Sequence, residues 1–293
     1  MRTSLLPAGA IARAKRCVLL TRQRRTARGA GSHRATRGGR GLEFKDHRLY
    51  ARGDDVRFLD WTLLARTHRP WLRVYHDEEE QHVVLLVDAS ASMRFEDKLL
   101  RARQLAALLG AMVLRAGDRV SVHAFGGGAP LRGTPALRGR AGLAPLLGFL
   151  ERVADAAGGE PLEQALTALV PRLHGRGAVV LLSDFMTAGD LGRAASHAAG
   201  AGFEPIGLQL LGPSELRPSL DEDARLVDEE TGAVLDVAAG DELLRRYAEH
   251  LHAQQRTLAA LCTGRGGTFV RLDAGMDPLA LVRGPLRRHG GVR

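Results

Sequence analysis

Residues 82–92, HVVLLVDASAS, constrain the fold more than any other part of this chain. The stretch begins with an unbroken apolar run over residues 83–87, and short runs of β-branched and aliphatic residues are typical of a central strand buried on both faces. The run stops at Asp88, and hydroxyls follow at alternate positions, Ser90 and Ser92. In an open parallel sheet, ligands bind at the carboxyl ends of the strands. The sequence therefore predicts one carboxylate and two hydroxyls where such a sheet places its site.

Three hard oxygen donors suit a hard divalent cation, Mg²⁺ ahead of Mn²⁺ or Ca²⁺. The competing interpretation is that Asp88 and the serines only cap the following helix, because Ser and Asp are common N-cap residues. A second carboxylate, Asp184, directly follows another short apolar run at residues 178–182. Two carboxylates at two strand ends favour the metal site over the cap.

The rest of the chain alternates strand and helix patterns, which predicts an α/β fold with a doubly wound, mostly parallel sheet of Rossmann-type topology. Predicted helices cover residues 96–116, 143–156, 162–173, 191–199, 242–261 and 278–287. Predicted strands cover residues 119–125, 129–137, 178–182, 203–210 and 268–272, with a hairpin over 225–237. We assign this main domain to residues 81–293.

Residues 1–40 form a basic leader that is predicted to be largely loop, with one short helix over residues 11–20. The leader contains eleven basic residues and no Asp or Glu, whereas the rest of the chain carries a net charge of −2. A solvated basic arm is the simplest interpretation, and contact with nucleic acid or with an anionic membrane surface stays open. No aromatic residue interleaves the arginines, so base stacking is unsupported.

Residues 41–80 form a charged and aromatic collar that is expected to pack on the main domain. The collar is dense in charge of both signs, and we expect buried arginine–carboxylate pairs within it. It contains both tryptophans of the chain. Because large aromatic side chains are usually buried, we expect burial of Phe44, Tyr50, Phe58, Trp61 and Trp71.

Several classes of protein are disfavoured by what the sequence lacks. Cys17 and Cys262 have no metal or disulfide spacing, which favours a reducing compartment. No run of 18 apolar residues predicts a membrane span, so a cytoplasmic location is expected. No GxSxG or HExxH pattern occurs, and position 90 is Ser rather than the second carboxylate of an aspartate-nucleophile phosphatase. We therefore predict a non-enzymatic protein, with a metal-dependent hydrolase as the less favoured alternative.

The collar and the Asp88 motif together resemble the DUF58 family, which joins such a collar to a von Willebrand factor A-like domain. The likeness spans roughly residues 30–290 and rests on specific positions. These positions are Gly41, Leu42, Glu43, Phe44, Asp46, Arg48, Tyr50, Gly53, Asp54, Asp55, Arg57, Asp60, Trp61, Ala65, Arg66, Glu78 and residues 87–93.

The resemblance implies a bacterial protein with a site like the metal-ion-dependent adhesion site (MIDAS), in which DxSxS, a Thr and a later Asp hold the cation. Asp88, Ser90 and Ser92 match the first element and Asp184 matches the last. The Thr position is occupied by Glu160, with Thr167 as a less favoured candidate because it lies in a helical pattern. Glu160 is interpreted either as a ligand or as a first-turn residue that interacts with a helix dipole.

The resemblance also implies partners. It predicts an adaptor that works with a MoxR-type AAA ATPase and an unidentified client protein in protein maturation or complex assembly. Nucleic-acid binding through the basic leader is the alternative function.

Overall fold

The computed structural model describes residues 5–7, 9–14, 43–76, 80–126, 130–154, 161–186, 189–219, 224–227, 234–237, 241–289 and 292. The chain divides into two compact units, one over residues 29–80 and the other joining residues 1–28 to residues 81–293. The helices are α1 (Ala10–Ala14), α2 (Trp61–Thr67), α3 (Lys98–Arg115), α4 (Leu143–Arg152), α5 (Leu162–Leu169), α6 (Leu191–Gly200), α7 (Pro213–Leu216), α8 (Asp241–Thr263) and α9 (Pro278–Leu281). Short helical turns cover Val56–Phe58, Ala91–Asp97, Arg140–Gly142, Val170–Arg172 and Val282–Leu286.

The larger unit is built on a six-stranded sheet with the order β10-β7-β6-β3-β4-β5. All neighbours pair in parallel except β5, which runs antiparallel to β4 at the edge. This order confirms the predicted doubly wound α/β architecture. The strands are β3 (His82–Asp88), β4 (Arg119–Phe125), β5 (Arg132–Gly133), β6 (Gly177–Ser183), β7 (Phe203–Leu211) and β10 (Thr268–Asp273).

The chain reverses its direction of travel across the sheet beside β3. From β3 it crosses to β4 on one side, and it later returns to β6 on the other side. Helix α3 packs in the hydrophobic cluster on one face of the sheet, whereas α5 and α6 pack in the cluster on the opposite face. The carboxyl ends of β3 and β6 therefore meet at a topological switch point, where open α/β sheets bind their ligands.

Helix α3 is the central packing element of the first face. Most of its residues are buried, and they are mainly Leu and Ala, which combine high helix propensity with close packing. The helix begins at Lys98 rather than at the predicted residue 96. Glu96 and Asp97 have left-handed backbone angles, with φ of 49° and 58°, which cannot continue a right-handed helix.

The first described residues of the chain belong to this same core. Leu5, Leu6, Ala10 and Ala14 are all at most 6% exposed and lie in the cluster around α3. The side-chain amide of Gln104 donates to the Leu5 carbonyl at 3.0 Å. The expectation of a solvated arm is therefore wrong for this part of the leader, because Leu5, Leu6, Ala10 and Ala14 pack in the same apolar cluster as α3. Most of the predicted leader, including residues 15–40, lies outside the described residues.

The smaller unit contains β1 (Glu43–Leu49) and β2 (Trp71–His76), which pair antiparallel, and helix α2. Asp60 caps α2 by accepting the backbone N–H groups of Thr62 and Leu63, and it also accepts from His47 Nε2 and Arg73 Nε at 2.9 Å each. These contacts, the one to Arg73 first, hold the pKa of Asp60 well below its usual range. Asp60 and Arg73 therefore form an arginine–carboxylate pair of the kind expected in the collar, although the Arg73 side chain is 44% exposed.

Burial of Trp61 is the collar prediction that is wrong. Trp61 is 67% exposed and occupies the first position of α2, directly after the Asp60 cap. Tyr50, Phe58 and Trp71 are half-buried, and the Phe44 side chain lies outside the described residues.

The remaining boundaries differ from prediction mainly at the sheet edge. The predicted strand over 129–137 is reduced to β5 and an isolated bridge between Val120 and Leu137. The predicted hairpin over 225–237 is confirmed by β8 (Ala224–Val227) and β9 (Val234–Val237). Among the described residues, no helix has the length and apolar character needed to cross a membrane.

Candidate metal centre

The loop that follows β3 is held against the end of β4. The Ala89 amide donates to the Phe125 carbonyl at 2.9 Å. The next residue, Gly126, has φ of +84°, and a Cβ there would lie only 2.7 Å from the Ser90 nitrogen. Glycine is therefore required at this position both by backbone angle and by the close approach of two chains.

Asp88 is fully buried and fixed through both carboxylate oxygens. Its Oδ1 accepts the Ser90 amide at 2.9 Å, and its Oδ2 accepts the Ser183 hydroxyl at 2.5 Å. Ser183 Oγ in turn accepts the Phe185 amide at 2.8 Å. Because Ser183 ends the neighbouring strand β6, the carboxylate is oriented from both sides of the switch point.

The hydroxyls of Ser90 and Ser92 lie beside this carboxylate, with their Oγ atoms 3.2 Å apart. Neighbouring ligands of an octahedral ion bound at about 2.0–2.1 Å are about 2.9 Å apart, so a small adjustment brings the two oxygens into one coordination sphere. The predicted trio Asp88, Ser90 and Ser92 is thus brought together in a chemically suitable donor set. Metal binding by this trio stays a prediction.

Asp184 lies at the same edge but already has a cation as its partner. Its Oδ2 accepts from Lys98 Nζ at 2.8 Å, and its Oδ1 accepts the Met186 amide at 3.0 Å. The carboxylate is completely buried and the lysine side chain is 1% exposed. The sequence predicted Asp184 as a metal ligand, and this ion pair commits one of its oxygens to an ammonium instead.

Lys98 also reaches the loop that follows β7. Its ammonium donates to Glu215 Oε1 at 2.7 Å, and Glu215 Oε2 accepts the Gly212 amide at 2.6 Å. Burial lowers the pKa of Lys98, but Asp184 and Glu215 together raise it above its usual value. A second link joins the same loops, because Glu96 accepts the Ser214 amide at 3.0 Å. The loops after β3, β6 and β7 are therefore tied together by charged side chains.

The carboxylates at this edge form an acidic cluster that Lys98 neutralises only in part. Burial, and then the nearby charge of Asp184, raise the pKa of Asp88 to about 6. Asp184 and Glu215 share the Lys98 ammonium, and Asp88 adds a third carboxylate, so these four groups together carry two negative charges in excess when all three carboxylates are ionised. A divalent cation would neutralise that excess.

The backbone is strained on both sides of the ion pair. Glu96 and Asp97, directly before Lys98, and Phe185, directly after Asp184, all have positive φ although none is glycine. Such residues cost about 1–3 kcal/mol each and tend to cluster at functional sites. The three strained residues therefore lie directly beside the two partners of the Lys98–Asp184 ion pair.

Sequence reasoning missed Lys98, Glu215 and Ser183. A signal existed for Lys98 alone, since it is a lysine in a helix that otherwise buries most of its residues. Glu160, the predicted replacement for the usual Thr, lies outside the described residues. Thr167 is exposed on α5 and donates to the Glu163 carbonyl of its own helix at 2.8 Å. Within the described part of the chain, no three His, Cys, Asp or Glu residues form a metal cluster, so any site here depends on serine hydroxyls.

Comparison with known families identifies the chain. Residues 46–258 match the family model described as "Protein of unknown function DUF58". The chain belongs to the DUF58 family. Two uncharacterized relatives, Rv1480 of Mycobacterium tuberculosis and Mb1516 of Mycobacterium bovis, are each 30% identical over 269 residues, covering 89% of this chain and 84% of the relative. The resemblance read from residues 30–290 is thereby confirmed.

Solved structures similar to this DUF58 protein include BatB from Bacteroides thetaiotaomicron, with 18% identity, 66% of this chain and 90% of that chain covered, and a TM-score of 0.44. A von Willebrand factor type A protein from Catenulispora acidiphila matches with 17% identity, 70% and 41% coverage, and a TM-score of 0.41. At these scores, the fold assignment rests on the strand order itself.

Proposed function

We propose that this DUF58 protein is a non-enzymatic protein-interaction module that binds a divalent cation, Mg²⁺ first, at the Asp88 edge of its sheet. In this proposal it acts as an adaptor for a MoxR-type AAA ATPase and a client protein in the cytoplasm. The observation that carries the proposal is the gathering of Asp88, Ser90 and Ser92 oxygens at the switch point, beside an acidic cluster with excess negative charge.

Exposed apolar side chains at the same edge support docking of a protein there. Phe95, Met186 and Met276 are 43%, 46% and 39% exposed, and each follows the carboxyl end of a different strand of the sheet. Phe and Met are enriched at protein–protein interfaces, where apolar anchors surround a small number of polar contacts. We define these three residues as the apolar rim.

The ion pairs at this edge favour binding over catalysis. Hydrolysis at a metal needs an acid or base that is poised to move a proton. Asp184 and Glu215 are instead each held in an ion pair by the Lys98 ammonium. Nucleic-acid binding through the basic leader is the weaker alternative, because residues 5–14 pack into the apolar core.

Metal binding is tested by thermal unfolding of the full chain with Mg²⁺ and with EDTA. A ligand that binds only the folded state stabilises it by RT ln(1 + [L]/Kd), about 2.7 kcal/mol at a hundredfold excess over Kd. Asp88→Asn should abolish the Mg²⁺-dependent rise in Tm without unfolding the protein. Asp190→Asn, which changes an exposed N-cap carboxylate on α6, is the matched control and should keep it. A wild-type Tm that millimolar Mg²⁺ leaves unmoved would reject the metal site.

Docking is tested with the purified MoxR-type ATPase of the same organism. Phe95→Ser combined with Met186→Ser should weaken binding, and EDTA should weaken wild-type binding. The control is Val56→Ser combined with Leu49→Ser, which removes exposed apolar side chains from the smaller unit. Equal loss in both double variants would place the contact elsewhere, and metal-dependent turnover of a phosphoester by wild type but not Asp88→Asn would favour the hydrolase.

A further inference from the structure

A pocket opens on the face of the sheet that packs against α5, and it extends from His82, at the amino end of β3, to His123 on β4. Its volume is about 320 Å³, at the lower end of the range for small-molecule sites. The polar side chains that line it are His82, Arg119, Ser121, His123, Thr134, Arg172 and His174.

The floor of the pocket is polar and buried. His82, Ser121 and His123 are 5%, 3% and 6% exposed, and His82 Nε2 lies 2.9 Å from Ser121 Oγ. His123 Nδ1 is buried without a hydrogen-bond partner among the described residues. Buried polar atoms usually have partners, so an unpaired ring nitrogen at a pocket wall indicates a place for a ligand or an ordered water.

The backbone leaves room for this ring. Gly133 on the edge strand β5 pairs with His123, and a Cβ at position 133 would lie 2.1 Å from His123 Nδ1. The absence of a side chain there allows the imidazole to stand against the strand and line the pocket.

The charge of the pocket selects the sign of its ligand. Arg119 and Arg172 are permanently charged, and no carboxylate is found among the described residues that line the cavity. Burial first, and then the neighbouring arginines, lower the pKa of both His82 and His123 to about 4. The two rings are therefore neutral near pH 7 and offer N–H donors, while the arginines repel a metal ion.

We propose that this pocket binds a tetrahedral oxyanion, in the form of a phosphate group carried on a small molecule. Arg172, exposed at the mouth, pairs with the phosphate, while Ser121 and His123 on the floor donate to its oxygens. Arginine recognises phosphate through strong charge-assisted hydrogen bonds. The pocket volume leaves space beside the phosphate for a small organic group.

The site is separate from the candidate metal centre. The pocket reaches from His82, at the amino end of β3, to His123, which pairs with Leu86 two residues before Asp88, and none of the residues that line it belongs to the candidate metal centre. The proposal neither needs nor supports metal binding at Asp88, and failure of one leaves the other standing.

The test is calorimetric titration of the full chain with inorganic phosphate, glycerol 3-phosphate and sodium acetate at matched ionic strength. Arg172→Gln should weaken phosphate binding about tenfold or more, because a charge-assisted contact is lost. Arg176→Gln is the control, since Arg176 is also exposed but lies against Gly202 and does not line the pocket. Both variants keep the basic leader, so non-specific phosphate binding there affects them equally.

Saturable binding at one site per chain that Arg172→Gln weakens and Arg176→Gln leaves unchanged would support the proposal. Tighter binding of glycerol 3-phosphate than of inorganic phosphate would assign the ligand to phosphate esters, and the reverse to the free ion. Equal effects of the two variants, a response shared by acetate, or no saturable heat would overturn it. Binding of Zn²⁺ that Arg172→Gln strengthens would also overturn it, in favour of a histidine metal site.

Discussion

Strands β3 and β4 contribute to two buried titratable clusters of opposite charge, one at their carboxyl ends and one in the pocket lined by His82 and His123. At the carboxyl end, burial and a second carboxylate raise the pKa of Asp88 to about 6. Around the pocket, which reaches from His82 at the amino end of β3 to His123 in the second half of β4, burial and arginines lower the pKa of both histidines to about 4. In both places the charged form of a buried group is disfavoured, and a ligand of opposite charge to the cluster would relieve the imbalance.

The two ends differ in how much of that imbalance the chain compensates itself. Lys98 supplies an internal cation to Asp184 and Glu215, with both contacts under 3 Å. The described lining of the pocket contains no carboxylate. The acidic end is therefore partly stabilised by the chain itself in the absence of a ligand, through an ammonium within the cluster.

Removing the internal cation should have the largest effect. Lys98→Met leaves two carboxylates at the buried end without their partner, and breaking a buried ion pair in this way costs about 3–5 kcal/mol of unfolding free energy. Arg245→Met, which breaks exposed pairs with Glu242 and Glu249 on α8, should cost less than about 1 kcal/mol. Urea denaturation of both variants measures the contrast.

A second change distinguishes charge from packing in that result. If the penalty comes from an unpaired carboxylate, Asp184→Asn combined with Lys98→Met should be more stable than Lys98→Met alone. A double variant that is less stable would show that Lys98 contributes mainly through packing of its side chain.

The pH dependence of stability should distinguish the two clusters, because the pKa shift of Asp88 is upward and the pKa shifts of His82 and His123 are downward. Asp88 has a pKa above its ordinary 3.8, so the folded chain binds more protons and loses stability as pH rises from about 4 to 6. His82 and His123 have pKa values below their ordinary 6.5, so the folded chain binds fewer protons and gains stability as pH rises from about 4 to 6.5.

In EDTA, Asp88→Asn should therefore steepen the rise of stability with pH, and His123→Asn should flatten it. Across this pH window, each substitution should change the rise in unfolding free energy by about 3 kcal/mol, because each unit of pKa shift corresponds to about 1.4 kcal/mol. Denaturant unfolding at several pH values between 4 and 7 measures how the unfolding free energy changes with pH. A general loss of stability would lower every value without changing this slope. Curves parallel to wild type would contradict the assigned directions.

The smallest contrast concerns two glycines, Gly126 beside the Asp88 loop and Gly133 beside His123. Gly126→Ala forces a Cβ against the Ser90 backbone at positive φ, whereas Gly133→Ala places a Cβ against the His123 side chain. We expect a loss of about 2–3 kcal/mol for the first and about 1 kcal/mol for the second. Thermal unfolding measures both, and a larger loss at Gly133 would mean that the His123 ring cannot turn into the pocket.

The parts of the fold and site that the sequence predicts are those set by nearby residues. The apolar runs define β3 and β6, and the two-residue spacing of Asp88, Ser90 and Ser92 brings their oxygens together within one loop. Lys98 pairs with groups 86 and 117 residues away, and Ser183 reaches Asp88 across 95 residues, distances over which a local pattern contains no information. Trp61 was expected inside because of its residue type, but its exposure is decided by where α2 begins.

The short segment around α1 has a consequence for how the protein is made. Arg283 donates to the Arg13 carbonyl, a contact between residues 270 positions apart, and Leu5 and Leu6 share a buried cluster with Leu279 and Val282. At translation rates of about 5–20 residues per second, the early segment leaves the ribosome tens of seconds before α9 is synthesised. Until then its leucines lack part of their final cover, so this face of the nascent chain is the one that a chaperone would need to protect.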